Sequence, residues 1–276
     1  MIKRVIKKLI KSPWVVKYTE SVQAAYCSGT VTNNSIEGKT VCISGATGDI
    51  GDAMVRRFLC EGCNLVVIGR SDTKLSELKN KYDTDSRIET LLIDLSDAES
   101  IEKVYGEYLT NHKIDVLINN AGVLGGAREK RFRTVSKEEL LNTWNVNIKS
   151  AELLSKLTIN SVQNTGLTIV NISSICSQFN SFRYSPYGIS KSALIGLTKD
   201  INNKFSSKGV YAKCILPGSV ATKMGNIKVG DNIVGNNNVL GRPALPEEIA
   251  ALAAIYSSDI GRYCVSHMVA SAIEKL

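Results

Sequence analysis

Histidine is nearly absent from this 276-residue sequence: there are two, His112 and His267, far apart and without metal-ligand spacing to any cysteine. Zinc chemistry and a Ser-His-Asp triad both lose their key side chain, so any catalytic base is of another type. No run reaches the roughly 18 apolar residues needed to cross a bilayer, which excludes a spanning helix. Repeats and low-complexity tracts are also missing, which excludes solenoids and propellers. Net positive charge is low outside the N-terminus: of the net +8, residues 1–20 hold +5 and the other 256 residues +3. The main body has no basic stripe interleaved with aromatics, so nucleic acid is not an expected partner. The seven cysteines are odd in number and scattered, in a chain too long to need stapling, which points to a reducing, cytoplasmic setting. Cys60 and Cys63 form a C-x-x-C in the context FLCEGCNLVV, which reads as a helix end running into a buried strand, with no second pair to complete a metal site.

What is present suits a globular protein: 43% of the residues are hydrophobic and 22% charged. Residues 1–37 read as a basic extension and linker, leaving 38–276 as one large α/β domain. In the extension, Ile2, Val5, Ile6 and Leu9 recur at helical spacing, with Lys3, Arg4, Lys7, Lys8 and Lys11 on the other side. This is an amphipathic basic helix, open to three readings: packing on the domain or a neighbouring subunit, peripheral contact of residues 1–17 with an anionic membrane surface, or targeting.

From Lys39 onward, β-branched runs at 40–44, 64–69, 88–93, 114–119, 167–172 and 210–216 alternate with helical patterns at 49–61, 72–81, 97–110, 137–162, 185–206 and 246–258. A weaker last strand is expected within 263–270. Near-continuous apolar strands separated by helices mean a doubly wound parallel sheet covered on both faces.

Directly after the first strand comes Ser44-Gly45-Ala46-Thr47-Gly48-Asp49-Ile50-Gly51. Glycines at such a turn let the backbone approach a pyrophosphate, with the next helix N-terminus facing the anion. The second strand ends at Gly69-Arg70-Ser71. An acid near there would hold the ribose 2′-hydroxyl of NAD, whereas a 2′-phosphate needs a cation; Arg70 supplies one and Gly69 no acid, so NADP(H) is favoured over NAD(H). Asp94, followed by Leu95 at the end of the third strand, has two readings: acceptor for an adenine amino group, or cap of the next helix.

At 187–191 the chain reads Tyr187-Gly188-Ile189-Ser190-Lys191 within a helical stretch. Spacing i, i+4 puts phenol and ammonium on one face, where the lysine charge is expected to lower the tyrosine pKa and make it a usable general acid/base. Ser174 follows the fifth strand, at the edge of the crevice where open α/β sheets bind ligands, and can hydrogen-bond a substrate carbonyl.

Together with IDLSD (93–97), NNAG (119–122), WNVNIKS (144–150), IVNISS (169–174), YSPYGISKSAL (184–194), ILPGSVATKM (215–224) and GRPALPEEIA (241–250), these motifs resemble the short-chain dehydrogenase/reductase family over about 38–265. The branch resembled is that of the 3-oxoacyl-carrier-protein reductases. The resemblance implies a Rossmann fold, Tyr187 as proton donor and acceptor, Lys191 lowering its pKa and holding the nicotinamide ribose, and Ser174 polarising the carbonyl. Asn147 would position a water for a proton relay toward Lys191. Asn119, Asn120, Ala121 and Gly122 would shape the cofactor floor, and Pro217, Gly218, Val220 and Thr222 would contact the nicotinamide side. A homo-oligomer, dimer or tetramer, is also implied.

Three departures from the family pattern stand out. The common glycine loop has its middle glycine one position later, where this chain has Asp49; the C-terminus SHMVASAIEKL lacks the usual paired glycines; and Asn202-Asn203-Lys204 replaces an acid on a helix face used for dimerisation. For the substrate, a cationic loop at 125–133 and Lys208 suit an anionic or carrier-linked ketone, and a Gly/Asn-rich lid is expected after Thr222. The function expected is reduction of a ketone to a secondary alcohol, with hydride from nicotinamide and the proton from Tyr187. The alternatives are a nucleotide-sugar epimerase, dehydratase or ketoreductase of polysaccharide biosynthesis, and a nonenzymatic nucleotide-binding protein on the same fold.

Overall fold

A computed structural model describes residues 36–82, 86–125, 134–162, 166–178, 185–229, 231, 242–259, 261 and 266–270, the last five and Ser185 through their backbone alone. The basic helix expected near the N-terminus, most of the cationic loop and the second half of the Gly/Asn segment lie outside these residues.

Among the described residues, seven parallel strands form one sheet in the order β3-β2-β1-β4-β5-β6-β7. They are β1 (Thr40–Ser44), β2 (Asn64–Gly69), β3 (Ile88–Leu92), β4 (Val116–Asn119), β5 (Leu167–Ile172), β6 (Val210–Pro217) and β7 (Ser266–Ala270). The helices between them are α1 (Asp49–Cys60), α2 (Asp72–Tyr82), α3 (Ala98–Ser100), α4 (Gly106–Leu109), α5 (Lys137–Trp144), α6 (Ser150–Ser161), α7 (Ser185–Phe205) and α8 (Pro246–Ser257). The order reverses between β1 and β4, which makes their carboxyl ends the crevice of the sheet.

Strand alternation divides the apolar side chains between two cores. Val41, Ile43, Leu65, Val67, Val116 and Ile118 face α1 and α8, packing with Met54, Phe58, Ile249 and Ala253. Cys42, Val66, Ile68 and Leu117 face the other side, with Tyr105, Leu154 and Ile201. Because both faces are covered, the central strands read as apolar throughout. β3, at the edge, exposes Glu89 and Thr90.

Two expected long helices each contain a π-helical turn: Ile101–Tyr105 joins α3 to α4, and Asn145–Lys149 joins α5 to α6. The first strand-to-helix unit closes as its sequence suggests. Gly62 takes φ +79, Cys63 N–H bonds back to Phe58 O, and Cys63 is buried with its thiol donating to Ile36 O. Cys60 is exposed and both thiols are free.

Candidate active site

The phosphate loop is shaped by contact with its neighbours. Gly45 has φ +67, and a Cβ there would sit 2.8 Å from Ala121 Cα, so only glycine allows the loop to lie against the end of β4. Gly51 meets Gly45 O and Ala46 so closely that a side chain has no room. Ser44 is buried; its Oγ accepts from the N–H groups of Asn120 and Ala121, each at 3.1 Å, and donates to Ile118 O. Asn120 answers by donating its amide to the carbonyls of Ser44 and Gly45. Both side chains are thereby spent on locking β1 to β4. Asn119 is turned away from the crevice: its amide donates to Ser155 Oγ and Asn171 Oδ1, and Asn171 in turn to Thr198 Oγ1, in a buried network beneath the crevice floor.

At the carboxyl end of β2, Arg70 is exposed and Ser71 accepts at its Oγ from Lys74 N–H at the start of α2. Asp94 does not cap the following helix. Its Oδ1 accepts from the N–H and Oγ of Ser96, the cap being Asp97, which accepts from Glu99 N–H. These Ser96 bonds, assisted by the Arg70 charge, hold the Asp94 carboxyl below its usual range. Leu95 is buried in the second core.

Ser174, Tyr187, Lys191, Asn147 and Gly122 converge past the ends of β4 and β5. Ser174 caps a short 3-10 turn through Cys176 N–H at 3.2 Å, leaving its hydroxyl beside Tyr187. Lys191 is buried, its Nζ 5.6 Å from the centre of the Tyr187 ring and donating to Ile172 O at 2.8 Å. A Cβ at Gly122 would press on Nζ at 3.2 Å, so glycine makes room for the ammonium. Asn147, in the second π-turn, accepts from Val123 N–H at 2.7 Å and donates to Val123 O and Ser190 Oγ, both at 2.9 Å. With both ends of its amide engaged, its side chain ties the segment after NNAG to α7.

The electrostatics differ from the expectation for the tyrosine. Burial raises the Tyr187 phenol above its ordinary value, Cys176 adds to this and only the Ser174 hydroxyl opposes it. The lysine is the group brought toward neutrality, since burial pulls it down to about 8 against a weaker pull from Cys214. In this arrangement desolvation sets the direction of both shifts.

Lys208 sits before the amino end of β6, as its place in the sequence implies; that end is opposite the crevice, and its Nζ is 5.6 Å from the Phe205 ring centre, so it does not join a cationic cluster at the cleft. Asn202 bonds both the N–H and the carbonyl of Ala212, so it faces β6 rather than a free helix surface. Among the residues expected at a nicotinamide, Pro217 ends β6, Val220 is buried and bridges to Ala244, and Thr222 opens a turn by accepting from Gly225 N–H. Sequence reasoning passed over Ser173, whose hydroxyl donates to Lys191 O at 2.7 Å, and Ser190. The second could have been found: it lies between Tyr187 and Lys191, where a hydroxyl on the buried side of α7 needs a partner. A cleft of about 590 Å³ adjoins the phosphate loop, lined by Thr47, Gly48, Asp49 and Thr222 among others, but by none of the catalytic candidates.

A profile of the family described as short chain dehydrogenase matches residues 39–231. The chain belongs to the short-chain dehydrogenase/reductase family. It is 29% identical over 245 residues to a 2-dehydro-3-deoxy-D-gluconate 5-dehydrogenase of Bacillus subtilis, covering 86% of this chain and 94% of that one. It is 27% identical over 238 residues to a 3-oxoacyl-[acyl-carrier-protein] reductase of Rickettsia felis, covering 85% and 95%. Among solved structures, a protein assigned as an NAD(P)-dependent gluconate 5-dehydrogenase of Beutenbergia cavernae, with bound NADP, superposes with a TM-score of 0.79 at 25% identity, over 87% of this chain and 97% of that one. A Brucella melitensis 3-ketoacyl-(acyl-carrier-protein) reductase complexed with NADH shares the fold, with a TM-score of 0.78 at 20% identity over 86% and 98%. This short-chain dehydrogenase/reductase is an oxidoreductase acting on CH–OH or C=O groups. Among the described residues no helix is long and apolar enough to cross a membrane, and no cluster of side chains could hold a metal ion.

Proposed function

We propose that the protein is an NADP(H)-preferring reductase that converts a ketone to a secondary alcohol. The observation that carries the reading is the gathering of Ser174, Tyr187 and Lys191 at one end of the sheet, beside a glycine cradle. That cradle suits a dinucleotide: Gly45 and Gly51 leave the backbone of the loop bare, and Gly122 leaves space above Lys191. Arg70, exposed at the end of β2, is the cation that a 2′-phosphate requires, and it supports NADP(H) over NAD(H). When bound, the nicotinamide supplies the hydride.

The remaining work falls to side chains of this chain. Ser174 Oγ holds the carbonyl oxygen, and the Tyr187 hydroxyl delivers its proton to that oxygen. A phenol kept above its ordinary value reaches the substrate still protonated, which suits the direction of reduction. Lys191, at about 8, titrates near working pH and can restore the proton. Asn147 keeps Val123 and α7 in register around it.

The substrate is a small or carrier-linked ketone bearing negative charge. In support, relatives are named for a gluconate derivative and for an acyl-carrier thioester, and Lys223 and Lys228 rim the cleft beside Thr222. The active form is a homo-oligomer, for which α5 offers Leu140, Leu141 and Trp144, all at least 43% exposed and within one turn of one another. The protein works in the cytoplasm, with residues 1–17 as a peripheral membrane contact.

Tyr187→Phe is the decisive experiment. It should remove nearly all turnover with NADPH while fluorescence titration shows cofactor affinity unchanged, because only the proton source is lost. Full retained activity would sink the assignment.

A further inference from the structure

The residue that departs from the family's glycine loop makes a long-range bond. Asp49 is the first residue of α1, following Gly48, which offers no side chain to cap the helix. An acid at this position ordinarily serves the positive end of its own helix. Here its Oδ2 instead accepts from Lys223 N–H at 2.7 Å, 174 positions along the chain. Lys223 lies in a strap that runs from Thr222 to Val229. Ile227 N–H returns to Thr222 O, Gly225 N–H to Thr222 Oγ1, and Lys228 N–H to Asp231. The strap is anchored at its base, where Val220 and Ala244 form a bridge. Beyond that base its apolar hold is confined to the half-buried Ile227, with Met224 47% and Val229 73% exposed. One charge-assisted bond therefore weighs heavily on how the strap lies.

We propose that Asp49 is a positioning residue that latches the strap 222–229 onto the phosphate loop and, through the same carboxylate, weakens the hold of the loop on an anion. The first part stands on the Asp49–Lys223 bond alone. The second rests on the proposed reading of the loop as a cofactor pyrophosphate site: a carboxylate in the first turn of α1 offsets the positive helix end that the loop presents. Loop and strap then behave as one body, and the protein trades cofactor affinity for a strap held in place over the cleft that both line.

The test compares the full-length protein with Asp49→Asn and Asp49→Ala. Asparagine keeps an acceptor for Lys223 N–H and removes the charge; alanine removes both and fits the helical backbone. Hydrogen–deuterium exchange of peptides covering 222–229 should run about tenfold faster in Asp49→Ala and stay near the parent rate in Asp49→Asn, as expected from loss of one charge-assisted hydrogen bond. Titration with NADPH should show both variants binding several-fold more tightly than the parent. Unchanged exchange in Asp49→Ala overturns the latch. Affinity no tighter in Asp49→Asn overturns the electrostatic part. If none of the three proteins binds NADPH, the cofactor reading itself fails and the electrostatic part falls with it, while the exchange data still decide the latch.

Discussion

Replacing Lys191 by methionine should make the protein more stable relative to the parent at neutral pH than at alkaline pH. The folded lysine sits at about 8 against 10.5 for the unfolded chain, because it is buried at 3% exposure. Below 8 both states carry the proton, and the full cost of a charge in the interior is present. The gap between the two values corresponds to roughly 3 kcal/mol. Between 8 and 10.5 the unfolded state binds the proton and the folded state does not, so the stability of the parent rises with pH through that window. Lys191→Met has no such charge and no such slope. Its stability relative to the parent should fall by roughly 2–3 kcal/mol on going from pH 7 to pH 10. The lost bond to Ile172 O opposes the gain at neutral pH by about 1–2 kcal/mol, without altering the pH dependence. Urea unfolding of both proteins at the two pH values measures the difference directly, and titrating groups other than Cys214, whose thiol interacts with Lys191, cancel in the comparison. A stability difference that stays constant with pH would refute the idea that Lys191 is an uncompensated buried charge retained for function.

Arg70→Ala should weaken NADPH binding by at least about tenfold while leaving NADH nearly untouched, as removal of a charge-assisted phosphate contact requires; equal weakening of both in parallel titrations would free Arg70 from that role. Brief iodoacetamide treatment at pH 8 followed by mass spectrometry should label Cys60, which is exposed, and spare Cys42 and Cys63, whose thiols burial pushes up to about 12. Labelling of Cys63 as fast as Cys60 would contradict its burial at the end of α1.

The sheet was legible because its central strands are covered on both faces, so that runs such as NLVVIG and LTIVNI stand out without any alternation to decode. The expected fourth strand began two residues early. Asp115 belongs to the turn, where its carboxylate accepts from Thr40 N–H and pairs with Lys113. The π-turns were invisible, since one residue more per turn leaves no compositional mark. At the site, the i, i+4 spacing of Tyr187 and Lys191 and the place of Ser174 after β5 could be read from residue order. The direction of the Tyr187 shift could not, because it depends on how much of the ring is shielded. Long-range partnerships were equally hidden: nothing in SGATGDIG announces that Asp49 meets Lys223, and residue order alone did not tell that Asp94, read as a possible cap, bonds Ser96 while Asp97 caps the helix.

The buried amides of Asn119 and Asn171 have a consequence for how the sheet assembles. The two residues are directly opposite each other in the last pair of the β4–β5 ladder, and their side chains bond at 2.8 Å beside the apolar pairs Leu117–Ile169 and Ile118–Val170. Apolar neighbours would tolerate either strand sliding along the other, since valine and isoleucine are nearly interchangeable in such a slot. A slide of one position would break the bond from the Asn119 amide to Asn171 Oδ1 and leave that buried oxygen without its partner, at a cost of about 1–3 kcal/mol. The pair therefore acts as a key that fits one alignment of the two central strands, and those strands deliver Gly122 and Ser174 to the same end of the molecule.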